Sequence, residues 1–233
     1  MHAFCKMGTV PQYMTRVVKR YAFVALASKS MTDIKSQILH YAIPKMQQVG
    51  IRSVSVDDIC HELGISKKTF YVYFPSKDDL VDAILCAANK KLATDVQSIV
   101  IKKTVVECIV EWHNVAKKTE KNAYQTPPVL YDLQKYYPNL YKTHQKRLRT
   151  TMHSLMVQFL EKGQSEGIFR SEIDTEMTSQ LFVNVNVDMA ELARKKEMTE
   201  LQIRQYGRQV MDVLLRGIFT PEGLVTVEQK VKG

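Results

Sequence analysis

Apolar residues recur along this chain at spacings of three and four, and no useful stretch alternates at a spacing of two, so the pattern predicts helices throughout. Val56, Ile59, Cys60 and Leu63 make one apolar face of a two-turn helix. Ser55 stands just ahead of it with Asp58 three residues on, close to a capping box although Asp is shorter than the usual Glu or Gln. Gly64 follows where a left-handed C-cap residue is wanted, Ile65 is the apolar residue of the turn, and Ser66 caps the next helix. In that helix only Phe70 and Phe74 need face inward, which leaves Lys67, Lys68, Thr69, Tyr71, Val72 and Tyr73 pointing out. Upstream, Ile38, Leu39, Ala42, Ile43 and Met46 mark a first helix that ends at Gly50. Pro44 lies inside it, where a lost hydrogen bond costs about 3 kcal/mol unless the helix bends.

Downstream, Asp78 and Asp79 open a long helix at the positive end of its dipole, and Leu80, Ile84, Ala88 and Leu92 carry it toward Ile101. A segment from Lys103 to about Lys121 follows, and Thr126-Pro127-Pro128 breaks the pattern. A short helix then reaches Tyr137, and Pro138 opens a long one from Asn139 to about Glu166 whose end Gly163 and Gly167 loosen. Helices from about Asp174 to Lys195 and from about Thr199 to Phe219 complete the pattern; Pro221-Glu222-Gly223 stops it, leaving a frayed tail. The expected fold is all-α: a three-helix helix-turn-helix domain over 32–92, a larger helical domain over 93–220, and a tail over 221–233.

A helix that exposes two tyrosines, a valine and two lysines is poorly made for an ordinary surface and well made for a DNA major groove. The run SVDDICHELGISKKTFYVYFPSKDDL, Ser55 to Leu80, resembles the DNA-binding domain of the TetR/AcrR family of transcriptional regulators. The likeness reaches back through the first helix and covers roughly Thr32 to Ala93. It implies contact with double-stranded DNA, at a palindromic operator, by Ser55, Lys67, Lys68, Thr69, Tyr71, Val72, Tyr73 and Lys77. Tyr71 is implied to reach the backbone with its hydroxyl. Lys77 begins the following helix, where its ammonium and the helix N-terminus suit a phosphate. Lys67, Lys68, Thr69, Val72 and Tyr73 are then the candidates for base edges, Val72 against a thymine methyl.

Charge changes this picture only locally. Of the net +9, residues 1–30 hold Lys6, Arg16, Lys19, Arg20 and Lys29 with no acid, whereas acids and bases balance over 31–80. The DNA signal is the stretch from Gly64 to Lys77, which contains lysines and no acid. Residues 1–30 read as a disordered basic arm or a start codon placed too early, with Met31-Thr32-Asp33 a natural beginning; the apolar patch Tyr21 to Ala27 is at the short limit for a secretory signal. No apolar run approaches the ~18 residues of a membrane span. Cys5, Cys60, Cys86 and Cys108 lack CxxC and metal-ligand spacing; Cys60 reads as a small buried hydrophobe, and Cys86 and Cys108 leave a redox role open. A reducing, cytoplasmic setting fits.

The resemblance further implies a homodimer through the last two long helices and a small-molecule effector inside the larger domain. Apolar stripes on those helices fit the first expectation, with Leu181, Val185, Val210, Leu214, Gly217 and Ile218 as candidate seam residues. Candidate effector contacts are Trp112, His113, Tyr131, Phe159, Asn184 and Asp188; Asn184 and Asp188 are polar interruptions of LFVNVNVDM that need partners. Catalytic signatures are absent, namely GxGxxG, the P-loop, HExxH and GxSxG, so neither enzyme, cofactor nor metal is expected. Glu107 and Glu111, at i and i+4, read as a solvated face rather than a catalytic pair. The functional expectation is a ligand-released homodimeric repressor. A DNA-binding protein that organises the chromosome, or an unrecognised activity in the larger domain, remain the alternatives.

Overall fold

The computed structural model of the chain describes residues 33–111, 128–195 and 200–232. Its helices in chain order are α1 (Ile34–Val49), α2 (Val56–Leu63), α3 (Lys67–Tyr73), α4 (Lys77–Lys102), α5 (105–111), α6 (Pro128–Tyr136), α7 (Pro138–Ser165), α8 (Thr175–Lys195), α9 (Glu200–Ile218) and α10 (Pro221–Lys232). Among the described residues, extended pairing is confined to an isolated antiparallel bridge between Phe169 and Phe219. The all-α expectation holds. So do most boundaries, within the one or two residues by which helix ends ordinarily vary.

Two compact units divide the chain. The first gathers residues 33–92 with 128–148; the second gathers 93–111 with 149–195 and 200–232. Residues 128–148, read from the sequence as part of the larger domain, therefore pack into the first unit. The reason is apolar: Val129 and Leu133 of α6 share a core with Ile38, Ala42, Met46 and Ile51. Pro44 stays on the solvent side, and α1 remains one helix from Ile34 to Val49 through it.

In the first unit the helix starts are set by short side chains. Ser55 Oγ accepts from the Asp58 N–H (3.0 Å) while the Ser55 N–H donates to Asp58 Oδ2 (2.8 Å), so the capping box closes despite the shorter acid. Ser66 Oγ accepts from the Thr69 N–H at 3.0 Å, and Ser76 Oγ from the Asp79 N–H at 3.1 Å. Gly64 adopts φ 64°, the left-handed conformation that lets its N–H close the end of α2 on the Cys60 and His61 carbonyls.

The second unit centres on Phe159, Phe169 and Phe219, whose rings meet edge-on at 5.5 and 5.2 Å between centroids. Gly163 does more than loosen the end of α7. A Cβ there would occupy the Phe169 ring, so glycine is what lets the chain after α7 fold back. The expected frayed tail is also corrected. Thr220 caps a further helix, its Oγ1 accepting from the Gly223 N–H at 2.9 Å, and Val227 is fully buried. Pro221 occupies the first helical position, where its missing N–H costs nothing. The same residue stops one helix and starts another.

Candidate nucleic-acid interface

The helix-turn-helix is built around two rings. Phe70 and Phe74, four residues apart on α3 and its cap, are buried with centroids 5.9 Å apart. With those two turned in, the opposite face is forced outward: Val72 is 73% exposed and Tyr71 46%, and Lys67 and Lys68 are exposed beside them. A valine that open gains nothing from the protein's own core, which is the burial that normally stabilises an apolar side chain.

The remaining sequence candidates fall into three conditions. Thr69 and Tyr73 are half-buried; the Thr69 hydroxyl lies 2.9 Å from Ser66 Oγ, and Tyr73 packs against the core. Ser55 is exposed, but its hydroxyl donates to Asp58 Oδ2 at 2.7 Å, which holds the Asp58 carboxyl below its ordinary pKa. Lys67 is tied to Asp57 at 2.7 Å, and that carboxylate raises the ammonium pKa. Both partners are exposed, so the pair is weak and open to exchange with a phosphate or base.

Lys77 is half-buried at the start of α4. Burial lowers the pKa of its ammonium, Asp132 and Asp78 oppose that shift, and Arg52 reinforces it. Asp132 had no signal in the sequence. It is a buried carboxylate on α6 that accepts from the Arg52 N–H at 2.9 Å, a partner 80 residues away. Ser76 was also missed, although its spacing to Asp79 repeats that of Ser55 to Asp58.

The candidate seam residues on α8 and α9 are unevenly placed. Leu181 is exposed, Val185, Val210 and Leu214 are half-buried, and a Cβ on Gly217 would meet open space. Ile218 instead is buried in the core of the second unit. Met177 and Val213, at 74% and 70% exposure, and Tyr206 extend the outward apolar surface of these two helices.

Among the described residues, the effector candidates divide between the two units. Tyr131 is exposed on α6 in the first unit and accepts from Lys135 Nζ at 2.8 Å, so it is corrected from a pocket wall to a surface residue. Phe159 is core in the second unit, and Asn184 Oδ1 accepts from Gln180 Nε2 at 2.8 Å. Trp112, His113, the side chain of Asp188 and residues 1–30 lie outside the described residues.

Glu107 and Glu111 are engaged rather than merely solvated. Glu107 closes a capping box with Thr104, whose N–H donates to it at 2.8 Å, and Glu111 pairs with Lys103 at 2.7 Å. Burial pushes the Cys60 and Cys86 thiols up and that of Cys108 to about 11, which argues against reactive thiolates at these positions. Among the described residues no group of three acids, histidines or cysteines could hold a metal ion, and no helix is long and apolar enough to cross a membrane.

A short outward-facing helix held on two inward rings, preceded by a capped helix and a left-handed glycine, is the reading head of a helix-turn-helix DNA-binding domain. Residues 38–84 match the family model of bacterial regulatory proteins, tetR family. The HTH-type transcriptional repressor KstR2 of Rhodococcus jostii (strain RHA1) is 26% identical over 145 residues, 61% of this chain and 71% of that protein. The uncharacterized HTH-type transcriptional regulator YuxN of Bacillus subtilis (strain 168) is 36% identical over 72 residues, 31% of this chain and 25% of that one. Two solved structures share the fold. A TetR-family regulator from Cytophaga hutchinsonii has a TM-score of 0.56 at 15% identity, covering 83% of this chain and 98% of that one. The reduced form of E. coli NemR has a TM-score of 0.55 at 12% identity, covering 80% and 96%. Residues 38–84 thus carry a tetR-family helix-turn-helix domain, in a chain whose helical fold is shared with TetR-family regulators.

Proposed function

We propose that the protein is a homodimeric repressor that binds a palindromic operator and is released from it by a small-molecule effector. The observation that carries the DNA reading is the outward face of α3, where Tyr71, Val72, Lys67 and Lys68 stand free of the core that Phe70 and Phe74 join. In this reading Lys77, Tyr71 and Ser55 hold phosphates. Lys67, Lys68, Thr69, Val72 and Tyr73 address base edges, with Thr69 and Tyr73 reaching from half-buried positions. The dimer reading draws on the exposed apolar residues of α8 and α9, Met177, Leu181, Tyr206 and Val213, which a second copy would cover. The effector binds among the helices of the second unit, with Phe159 and Asn184 its candidate contacts among the described residues. It releases DNA by binding the DNA-incompetent arrangement more tightly.

The test begins with duplexes recovered by the full chain from a random-sequence pool. A few sites of palindromic form support the repressor reading, and dispersed sites without a shared sequence support a chromosome-organising role. Against the recovered operator, Lys77→Ala weakens binding to all sequences alike and flattens the slope of log affinity on log salt by ~0.9 for each phosphate no longer neutralised. Val72→Ala leaves that slope alone and relaxes selectivity at one position per half-site by ~1 kcal/mol at most. The opposite assignment of effects sinks this docking. Leu214→Glu sediments as a monomer where the parent sediments as a dimer. An unchanged dimer moves the seam elsewhere.

A further inference from the structure

The turn that leads into the helix-turn-helix, from Gly50 to Ser55, rests on a residue from outside that motif. Gly50 is buried at φ 90°, and a Cβ on it would come within 2.7 Å of Asp132 Oδ2. Only glycine gives the backbone both that conformation and that close an approach. Two residues on, the Arg52 N–H donates to the same oxygen at 2.9 Å. The Arg52 guanidinium then lies over the Tyr136 ring, 4.2 Å from its centroid, one helical turn beyond Asp132 on α6. Around this hydrogen bond the walls are apolar: Ile51 and Val54 of the turn are buried, as are Val129 and Leu133 of α6.

A carboxylate only 9% exposed is an expensive thing to place in such a setting. Packing alone would be met more cheaply by leucine. Two interactions show what the carboxylate does: it terminates the Arg52 N–H, and its charge opposes the desolvation of Lys77 at the start of α4. Both partners flank the reading head. Arg52 stands three residues before the Ser55 cap of α2, and Lys77 one residue after the Ser76 cap that follows α3.

We propose that Asp132 is a positioning residue for DNA binding, its carboxylate fixing the Gly50–Ser55 turn through the Arg52 N–H and thereby the height at which α2 and α3 meet the groove. The inference rests on the reading that α3 binds DNA, and deepens it by naming a residue far from the motif in sequence. Asp132 touches no DNA. Its contribution is through the turn, so the acceptor matters more than the negative charge. An asparagine keeps an oxygen in the same place and lacks the charge. An alanine keeps neither.

The experiment compares the full-length parent, Asp132→Asn and Asp132→Ala by fluorescence anisotropy on a labelled operator duplex recovered by the parent, well below each melting temperature. Amide hydrogen exchange over residues 50–58 is measured without DNA. Asp132→Ala binds the operator about tenfold more weakly and exchanges the Arg52 amide faster, because a half-buried donor has lost its acceptor. Asp132→Asn restores both to near the parent. Alanine binding as tightly as the parent, with unchanged exchange, overturns the proposal. So does asparagine as impaired as alanine, since the charge rather than the hydrogen bond would then be at work. Should alanine fail to fold, the asparagine variant alone decides: parent-like affinity and exchange support the role, and loss of either overturns it. A parent that recovers no DNA site removes the DNA reading instead, and the exchange comparison still tests whether Asp132 holds the turn.

Discussion

The two compact units are both helical and both use short-range caps, yet the second adds a tie that the helix-turn-helix of the first lacks. In the first unit the helix starts are closed from within four residues: Ser55 on Asp58, Ser66 on Thr69, Ser76 on Asp79. In the second, the joint between α4 and α5 is closed from α7. Lys162 Nζ donates to the carbonyls of Val100 and Lys103, the latter at 2.6 Å, and Glu166 Oε2 accepts from the Val105 N–H at 2.7 Å. Lys162 neutralises the carbonyl end of α4 and Glu166 the amide end of α5, each at the dipole terminus its charge favours. The helix-turn-helix of the first unit is therefore a set of separately terminated helices, with the Asp132 tie to the Arg52 N–H its long-range exception. The second has local caps too, at Thr104 and Thr220, and adds at the α4–α5 joint a residue, Lys162, that serves several partners at once, so that removing it leaves more than one group unsatisfied.

Gly163→Ala is the strongest way to break that contrast. The added carbon meets the Phe169 ring, which Phe159 and Phe219 hem in, so neither side can yield cheaply. Overpacking of this kind costs about 3 kcal/mol, read as a lowered denaturant midpoint with an unchanged slope. A variant as stable as the parent would mean that the Phe169 ring is not confined as described.

That position shows where sequence reasoning lost sight of the fold. Gly163 read as a residue that loosens a helix end, and no local pattern could say that a ring six residues later needed its space. Pro221 was misread for a related reason: a proline after a helix looks the same whether it ends the chain's order or occupies the first turn of a new helix. Asp132 and Lys162 were invisible because their partners lie about 60 to 80 residues away. By contrast α2, the turn and α3 were legible to the residue, since caps, apolar faces and the left-handed glycine all act over three or four positions. The outward face of α3 was legible by subtraction for Lys67, Lys68, Tyr71 and Val72, once Phe70 and Phe74 had been given to the core, but not for Tyr73, which packs against that core from a half-buried position.

Lys162→Met against Ser66→Ala sharpens the comparison at intermediate size. Methionine keeps most of the buried stem of Lys162 and removes the ammonium from the carbonyls of Val100 and Lys103, at a cost of about 2 kcal/mol. Ser66→Ala removes one cap from the seven residues of α3 and costs about 1 kcal/mol. Equilibrium unfolding of the two variants gives the ratio directly. A larger loss for Ser66→Ala would overturn the contrast, placing the more vulnerable ties in the first unit.

The smallest expected effect is one of pH, and it probes the feature of the first unit that breaks its own rule. His144 of α7 is buried, and its Nδ1 has no hydrogen-bond partner. Burial lowers its pKa below the ordinary 6.5; the Arg147 guanidinium adds to that and Asp82, paired with Arg147 at 2.6 Å, opposes it. The unfolded chain therefore takes up a proton on this imidazole at a pH where the folded chain does not. The sign follows: the contribution is fully present above about pH 6.5 and is lost as pH falls from there through the folded value. His144→Gln is uncharged throughout, so its melting temperature falls less steeply than the parent's between neutral pH and about pH 5.5. Asp58 and Glu107, held below the ordinary carboxylate range by their caps, titrate beneath that window and affect both proteins equally. Parallel melting curves for parent and variant across the window would mean that the imidazole takes up its proton alike in the folded and unfolded chains, with Asp82 balancing burial at this position.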